Sequence, residues 1–147
     1  MNQQNVVDIL LVEDNPQDVE LTIRALKKHN ITNKLIVLED GAEAMDFIFC
    51  RGKYEQREIA NHPKVILLDV KLPKVSGLEV LRAIKEDERT RTIPIVMVTS
   101  SRQDPDIKTA YEHGANSYVV KPLDFNAFVE AMSQLGLYWL LVNKAPK

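Results

Sequence analysis

Only one cysteine, Cys50, occurs among the 147 residues, so no disulfide can form within the chain. No uninterrupted apolar run approaches the roughly 18 residues that a membrane span needs. Nor does a charged segment followed by a long apolar stretch open the chain, as it would in a secretion signal. Neither sign of charge dominates: 19 Lys and Arg stand against 21 Asp and Glu, a net charge of -2. That balance gives no electrostatic reason to expect nucleic acid as a partner. Internal repeats and low-complexity tracts are also lacking. The expected setting is therefore a reduced cytoplasm, with neither membrane nor nucleic acid bound.

What is there is an ordinary folding composition, 45% hydrophobic and 27% charged. The length fits one domain, expected over 1–147 with a core at about 6–135 and a helical extension at about 136–147. Short runs dense in Val, Ile and Leu predict five strands near 7–12, 34–38, 64–69, 94–99 and 117–121. Strands 1, 3 and 4 read as buried on both faces. Amphipathic stretches lie between them: 16–29 carries Val19, Ile23 and Leu26 on one stripe, and 76–87 carries Leu78, Leu81 and Ile84. Asn15 before Pro16 reads as an N-cap with proline at the first helical position, and Asp104 before Pro105 repeats it. Asn30 and Gly114 read as helix stops. The order βαβαβαβαβα implies a doubly wound, mostly parallel α/β sheet with helices on both faces.

The strand ends carry the chemistry. Ile9-Leu10-Leu11-Val12 runs into Glu13-Asp14, Val65-Ile66-Leu67-Leu68 into Asp69, Ile95-Val96-Met97-Val98 into Thr99-Ser100, and Tyr118-Val119-Val120 into Lys121-Pro122. In an open parallel sheet such ends share one crevice. Adjacent carboxylates repel each other without a cation, and hard oxygen ligands suit Mg²⁺, which keeps several waters and takes phosphate oxygens besides. A carboxylate such as Asp69 can attack phosphorus if a metal and a cation neutralise the transferring group. Lys121 is the candidate cation and Thr99 the candidate hydroxyl donor. Taken singly, each has a plainer reading: a helix cap for the acid pair, a surface lysine, a β-branched strand residue. The set together favours chemistry.

These residues resemble the receiver domain of two-component response regulators. The resemblance rests on Leu11-Val12-Glu13-Asp14-Asn15, Leu67-Leu68-Asp69 followed by Leu72-Pro73 and Gly77, Thr99-Ser100, Gly114-Ala115 and Lys121-Pro122. It implies a flavodoxin-like strand order, 2-1-3-4-5, and an Asp69 that accepts a phosphoryl group from a sensor histidine kinase. It further implies Mg²⁺ held by Asp14, Asp69 and the backbone carbonyl of Lys71, with Glu13 acting mainly through metal-bound water. Thr99 and Lys121 then bind phosphoryl oxygens, and Tyr118 matches an aromatic switch position coupled to Thr99. Self-phosphorylation and slow hydrolysis follow, without a metabolic enzyme's activity. The chain departs from many receivers in having Glu13 for Asp. Lys71 and Ser101 occupy positions that influence access of the hydrolytic water.

Output is expected through partner docking or assembly. Helix 5 offers Phe125, Phe128, Val129, Met132 and Leu135 on one face, whereas Leu137, Tyr138, Trp139, Leu140, Leu141 and Val142 are apolar all round. Such a tail either forms an interface or folds back over the core, and interface is favoured. The expectation is a homodimer through the helix 4, strand 5 and helix 5 face together with this extension. The Gly52-Lys53-Tyr54 region and the aromatic tail also resemble single-domain receivers that pair with phytochrome-type kinases.

Other classes fit less well. A haloacid-dehalogenase-like phosphatase needs a second aspartate where Lys71 stands. A flavodoxin-like flavin carrier needs a Ser/Thr/Gly-rich loop where Glu13-Asp14-Asn15-Pro16-Gln17-Asp18 lies. A phosphorylation-independent interaction module and a phosphorelay intermediate stay open.

Overall fold

Ile9, Leu10, Leu11 and Val12 are all buried, and they form the strand on which the rest of the sheet is ordered. The computed structural model describes residues 7–29, 31, 34–100, 105–121 and 124–137. In chain order the elements are β1 (Ile9–Val12), α1 (Pro16–Lys28), β2 (Leu35–Leu38), α2 (Gly41–Ile48), β3 (Val65–Asp69), α3 (Gly77–Glu86), β4 (Ile95–Thr99), α4 (Asp106–Glu112), β5 (Ser117–Val120) and α5 (Phe125–Gln134). The five strands pair in parallel in the order β2-β1-β3-β4-β5, the flavodoxin-like order of the sequence analysis. Each strand is one or two residues shorter than the range its sequence predicts.

Period-two alternation assigns the two faces. Leu10, Val12, Ile66, Leu68, Ile95 and Met97 pack under α2, α3 and α4, around Phe47, Leu81, Ile84 and Ala110. Ile9, Leu11, Val65, Leu67, Val96, Val98 and Val119 pack under α1 and α5, around Leu26, Phe128 and Met132. β1, β3 and β4 are therefore buried on both sides, as their unbroken apolar runs predict. Each fully buried aliphatic side chain contributes about 1.5–3 kcal/mol relative to exposure.

The helix starts are built from side-chain oxygens. Asn15 accepts from the N–H groups of Gln17 and Asp18, Asp40 from Glu43, Ser76 from Glu79, and Asp124 from Asn126 and Ala127. Pro16 is the first residue of α1, as expected. Asp104 and Asn30 lie outside the described residues. Pro105 already has helical dihedrals, φ -62° and ψ -19°, although the hydrogen-bonded helix begins at Asp106, one residue later than the sequence places it. Gly114 ends α4 with φ +100°, a left-handed conformation that favours glycine.

The irregular stretch between α2 and β3 is ordered by two 3-10 turns, Gly52–Tyr54 and Ile59–Asn61. Tyr54 packs edge-on against Phe47 and donates to Glu43 at 2.7 Å. The Arg57 guanidinium lies 3.8 Å from the Phe47 ring centroid and donates to Asn61 O at 2.9 Å. Among the described residues, no helix is long and apolar enough to cross a membrane.

Candidate functional site

The parallel register carries the predicted residues to one edge. Asp69, the last residue of β3, pairs with Val98 and so stands beside the end of β4, where Thr99 pairs with Val120. Each ladder continues one step beyond the strand: Glu13 N–H donates to Leu38 O at 2.9 Å, Val70 N–H to Val98 O at 3.1 Å, and Lys121 N–H to Thr99 O at 2.8 Å. These bonds fix the backbones from which Glu13, Asp69 and Lys121 project. A cleft of about 200 Å³ results, lined by Glu13, Asp14, Asn15, Asp18, Asp69, Val70, Lys71, Thr99, Ser100 and Lys121.

Gly77 sets the floor behind Asp69. It is the first residue of α3, and a Cβ there would stand 1.9 Å from Asp69 O. Its N–H donates to Val70 O at 2.9 Å. Only glycine permits this approach of helix to strand end.

Charge dominates the cleft. Glu13 and Asp69 are only 3% and 5% exposed and Thr99 1%, while Asp14 is exposed. The ligand oxygens of Glu13, Asp14 and Asp69 all lie within 4.8 Å of one another. Lys121 Nζ reaches Glu13 Oε1 at 2.9 Å, Asp69 Oδ2 at 3.0 Å and Asp18 Oδ2 at 3.2 Å. Asn15 N–H donates to Glu13 Oε2 at 3.2 Å, and Lys71 N–H to Asp69 Oδ1 at 3.3 Å. One ammonium therefore serves more carboxylates than it can neutralise.

Titration follows from this imbalance. Burial pushes the Glu13 carboxyl up to about 7; the hydrogen bond from Lys121 opposes the rise and the nearby Asp69 charge adds to it. Burial by itself would pull the Lys121 ammonium down, but its hydrogen bonds to Glu13 and Asp69 and their charges hold it above its ordinary value. An octahedral cation with oxygens at 2.0–2.1 Å needs ligands spread over about 4 Å, close to the span of these three acids. The donor set is all oxygen and under-neutralised, so it fits a hard divalent cation.

Away from the cleft, Tyr118 is half-buried and meets Tyr111 edge-on, ring centroids 5.9 Å apart at 80°. A groove of about 310 Å³ lies along β5 and α5, lined among others by Tyr111, Tyr118, Glu130 and Gln134. Leu137 packs partly against the α1 and α5 side of the core. Tyr138, Trp139, Leu140, Leu141 and Val142, with Ser101 and Pro122, lie outside the described residues. Asp18 was missed as a member of the cluster. Its signal was its place in the first turn of the helix opened by Asn15, on the strand-1 side of the crevice.

The response regulator receiver domain family matches residues 9–133. The chain belongs to that family. Among solved structures, this receiver is similar to the bacteriophytochrome response regulator AtBRR, at 47% identity with 95% of this chain and 99% of that one covered and a TM-score of 0.83. It is 37% identical to the response regulator Rcp1 of Synechocystis over 90% of this chain and 88% of that protein. The Mn²⁺-bound structure of Rcp1 has a TM-score of 0.73, with 96% and 99% of the two chains covered. A further relative is the probable methanogenesis regulatory protein FilR2 of Methanothrix harundinacea, 39% identical over 94% of this receiver and 86% of that protein.

Proposed function

We propose that this receiver takes a phosphoryl group from a sensor histidine kinase onto Asp69. The observation that carries the reading is Asp69 itself, a carboxylate at the end of β3 with its Oδ2 held 3.0 Å from Lys121 Nζ inside an under-neutralised acid cluster. A carboxylate oxygen of Asp69 attacks phosphorus and forms an acyl phosphate as the phosphorus–nitrogen bond of the phosphohistidine breaks. The electron pair stays on the imidazole nitrogen, which then takes up a proton. Lys121 neutralises charge on the transferring group, and the Thr99 hydroxyl donates to a phosphoryl oxygen. Mg²⁺, held by Asp14, Asp69 and the backbone carbonyl of Lys71 with Glu13 reaching it through water, would supply the remaining neutralisation of phosphoryl charge. Hydrolysis by the domain itself ends the signal, and Lys71, two residues past Asp69, occupies a position that influences access of the incoming water.

The signal leaves through the face formed by α4, β5 and α5. Thr99, drawn toward the phosphoryl group, makes room for Tyr118 to turn inward from its place beside Tyr111. The phosphoryl group must favour one arrangement over the other for this to shift a population. The altered face, with the extension at 136–147, then changes homodimerisation or partner docking in the cytoplasm. The 47% identity to the bacteriophytochrome response regulator AtBRR supports a phytochrome-type kinase as the donor.

The test is intact-protein mass after incubation with acetyl phosphate, with and without Mg²⁺, beside Asp69→Asn. A single phosphoryl adduct that needs both Mg²⁺ and Asp69 is expected. An adduct retained in Asp69→Asn would overturn the acceptor assignment. No adduct from either acetyl phosphate or a phosphorylated kinase would point to an interaction module that works without phosphorylation. Passage of the label on to a second histidine protein would make the domain a phosphorelay intermediate.

A further inference from the structure

Lys121 has a third partner that the reaction above leaves without a part. Asp18 Oδ2 lies 3.2 Å from its Nζ, and Asp18 lines the same cleft as Asp69. Asp18 is the third residue of α1, a position from which a polar side chain commonly reaches back to the N–H of the capping residue. Here that N–H, of Asn15, is taken by Glu13 Oε2 at 3.2 Å. The Asp18 carboxylate is thus spared the capping duty and turns to Lys121. An acid in the first turn also complements the positive end of a helix, a role that requires no contact with Lys121.

The count of donors gives the contact its meaning. An ammonium has three N–H groups and no acceptor. In Lys121 they face Glu13, Asp69 and Asp18 at 2.9, 3.0 and 3.2 Å, carboxylates carried by the loop after β1, the end of β3 and the first turn of α1. When Asp69 becomes an acyl phosphate, the N–H that faced it is redirected to a phosphoryl oxygen. Glu13 and Asp18 keep the other two. Two anchors, one in the loop after β1 and one in α1, hold the flexible lysine stem in one direction, whereas Glu13 alone leaves it free to swivel about that bond.

We propose that Asp18 is a positioning residue for phosphoryl transfer at Asp69, acting through Lys121 by anchoring the ammonium before and after the group arrives. The proposal rests on Asp69 being the acceptor. Asp18 touches neither donor nor phosphorus in this scheme, so its effect has to pass entirely through the lysine.

Two measurements on the full chain test it. The first reads the lysine directly, by ¹⁵N NMR of the Lys121 ammonium in unphosphorylated protein. Wild type and Asp18→Glu are expected to show an ordered ammonium with slow hydrogen exchange, and Asp18→Asn a mobile one. An unchanged resonance in Asp18→Asn overturns the proposal. The second is the rate of adduct formation from acetyl phosphate at saturating Mg²⁺. Asp18→Asn should be slower by about three- to tenfold, short of the roughly hundredfold cost of misplacing a reacting group by 1 Å. Asp18→Glu should restore the rate to within about twofold, because the carboxylate can still reach. In a Lys121→Met background Asp18→Asn should change nothing further. Equal slowing in both backgrounds, or no restoration by glutamate, overturns the proposal in favour of a role at the helix start. Absence of an adduct on wild type from both acetyl phosphate and a phosphorylated kinase refutes the acceptor reading and the kinetic half of this proposal together. An adduct with normal kinetics in Asp18→Asn refutes Asp18 alone.

Discussion

Gly77 lies so close behind Asp69 that a Cβ on it would stand 1.9 Å from the Asp69 carbonyl oxygen. The start of α3 and the end of β3 are thereby locked at a spacing that no other residue allows. Gly77→Ala should push the strand end outward at a cost of about 1–3 kcal/mol from overpacking. Its melting temperature should fall, and its response to Mg²⁺ should shrink because Asp69 is displaced. Leu78→Ala, one position along, should lower stability while leaving the Mg²⁺ response intact. Equal Mg²⁺ responses in the two variants would separate Gly77 from the site.

The acid cluster predicts metal-linked stability. A cation that binds only the folded state at 100 times its Kd adds about 2.7 kcal/mol. For a chain of this length that corresponds to a rise in Tm of roughly 5–10 °C. Scanning calorimetry with Mg²⁺ and with EDTA should show this rise for wild type and a much smaller one for Asp69→Asn. Without metal, Asp69→Asn should be at least as stable as wild type, since it removes one of several crowded carboxylates. A metal-free Asp69→Asn that is markedly less stable would contradict the charge argument.

Glu13 gives the cluster a proton linkage. Burial raises its folded value to about 7 from an ordinary 4.5, so the folded protein binds more protons than the unfolded chain between those values. The metal-free stability contributed by this group is therefore complete below pH 4.5 and is lost as pH rises through about 7. A divalent cation demands the carboxylate and reverses that trend. Mg²⁺ titration in weakly buffered solution near pH 7 should release a fraction of a proton per ion, and Glu13→Gln should release none. Equal release from both proteins would assign the proton elsewhere.

Thr99 and Tyr118 should be coupled only through the hydroxyl. With 3-fluorotyrosine incorporated, the Tyr118 ¹⁹F resonance is expected to move on phosphorylation of wild type. Thr99→Val keeps the side-chain shape, and its phosphorylated form should leave that resonance where it was. A full shift in the valine variant would uncouple the two residues.

Much of this arrangement was legible because the relevant signals are local. An apolar run that stops at a charged residue states where a strand ends, and Asn15-Pro16 states where α1 begins. Once the sheet is parallel, Glu13, Asp69, Thr99 and Lys121 have to gather at one edge, and they do. The contact of Gly77 with the Asp69 carbonyl was hidden because a close approach between backbones leaves no mark in periodicity. Asp18 was hidden for a different reason: its partner lies 103 positions away, just past β5, and an acid in a first helical turn already has a sufficient local explanation. The aromatic tail shows the limit of pattern reading. Its composition demands a covering surface, and Leu137 goes partly against the core, yet apolar character alone does not name what covers the rest.

The order of the strands also bears on when the protein becomes competent during its own synthesis. Asp69 is translated 52 residues before the lysine that faces it. A nascent chain that has formed β1 and β3 already gathers Glu13, Asp14 and Asp69, but it lacks the Lys121 ammonium until β5 docks against β4 at Ser117–Val120. Until then the carboxylates repel one another without the protein's own ammonium to offset them. Docking of β5 delivers Lys121 to that edge and relieves part of the repulsion, so closing the sheet and completing the cleft are one event.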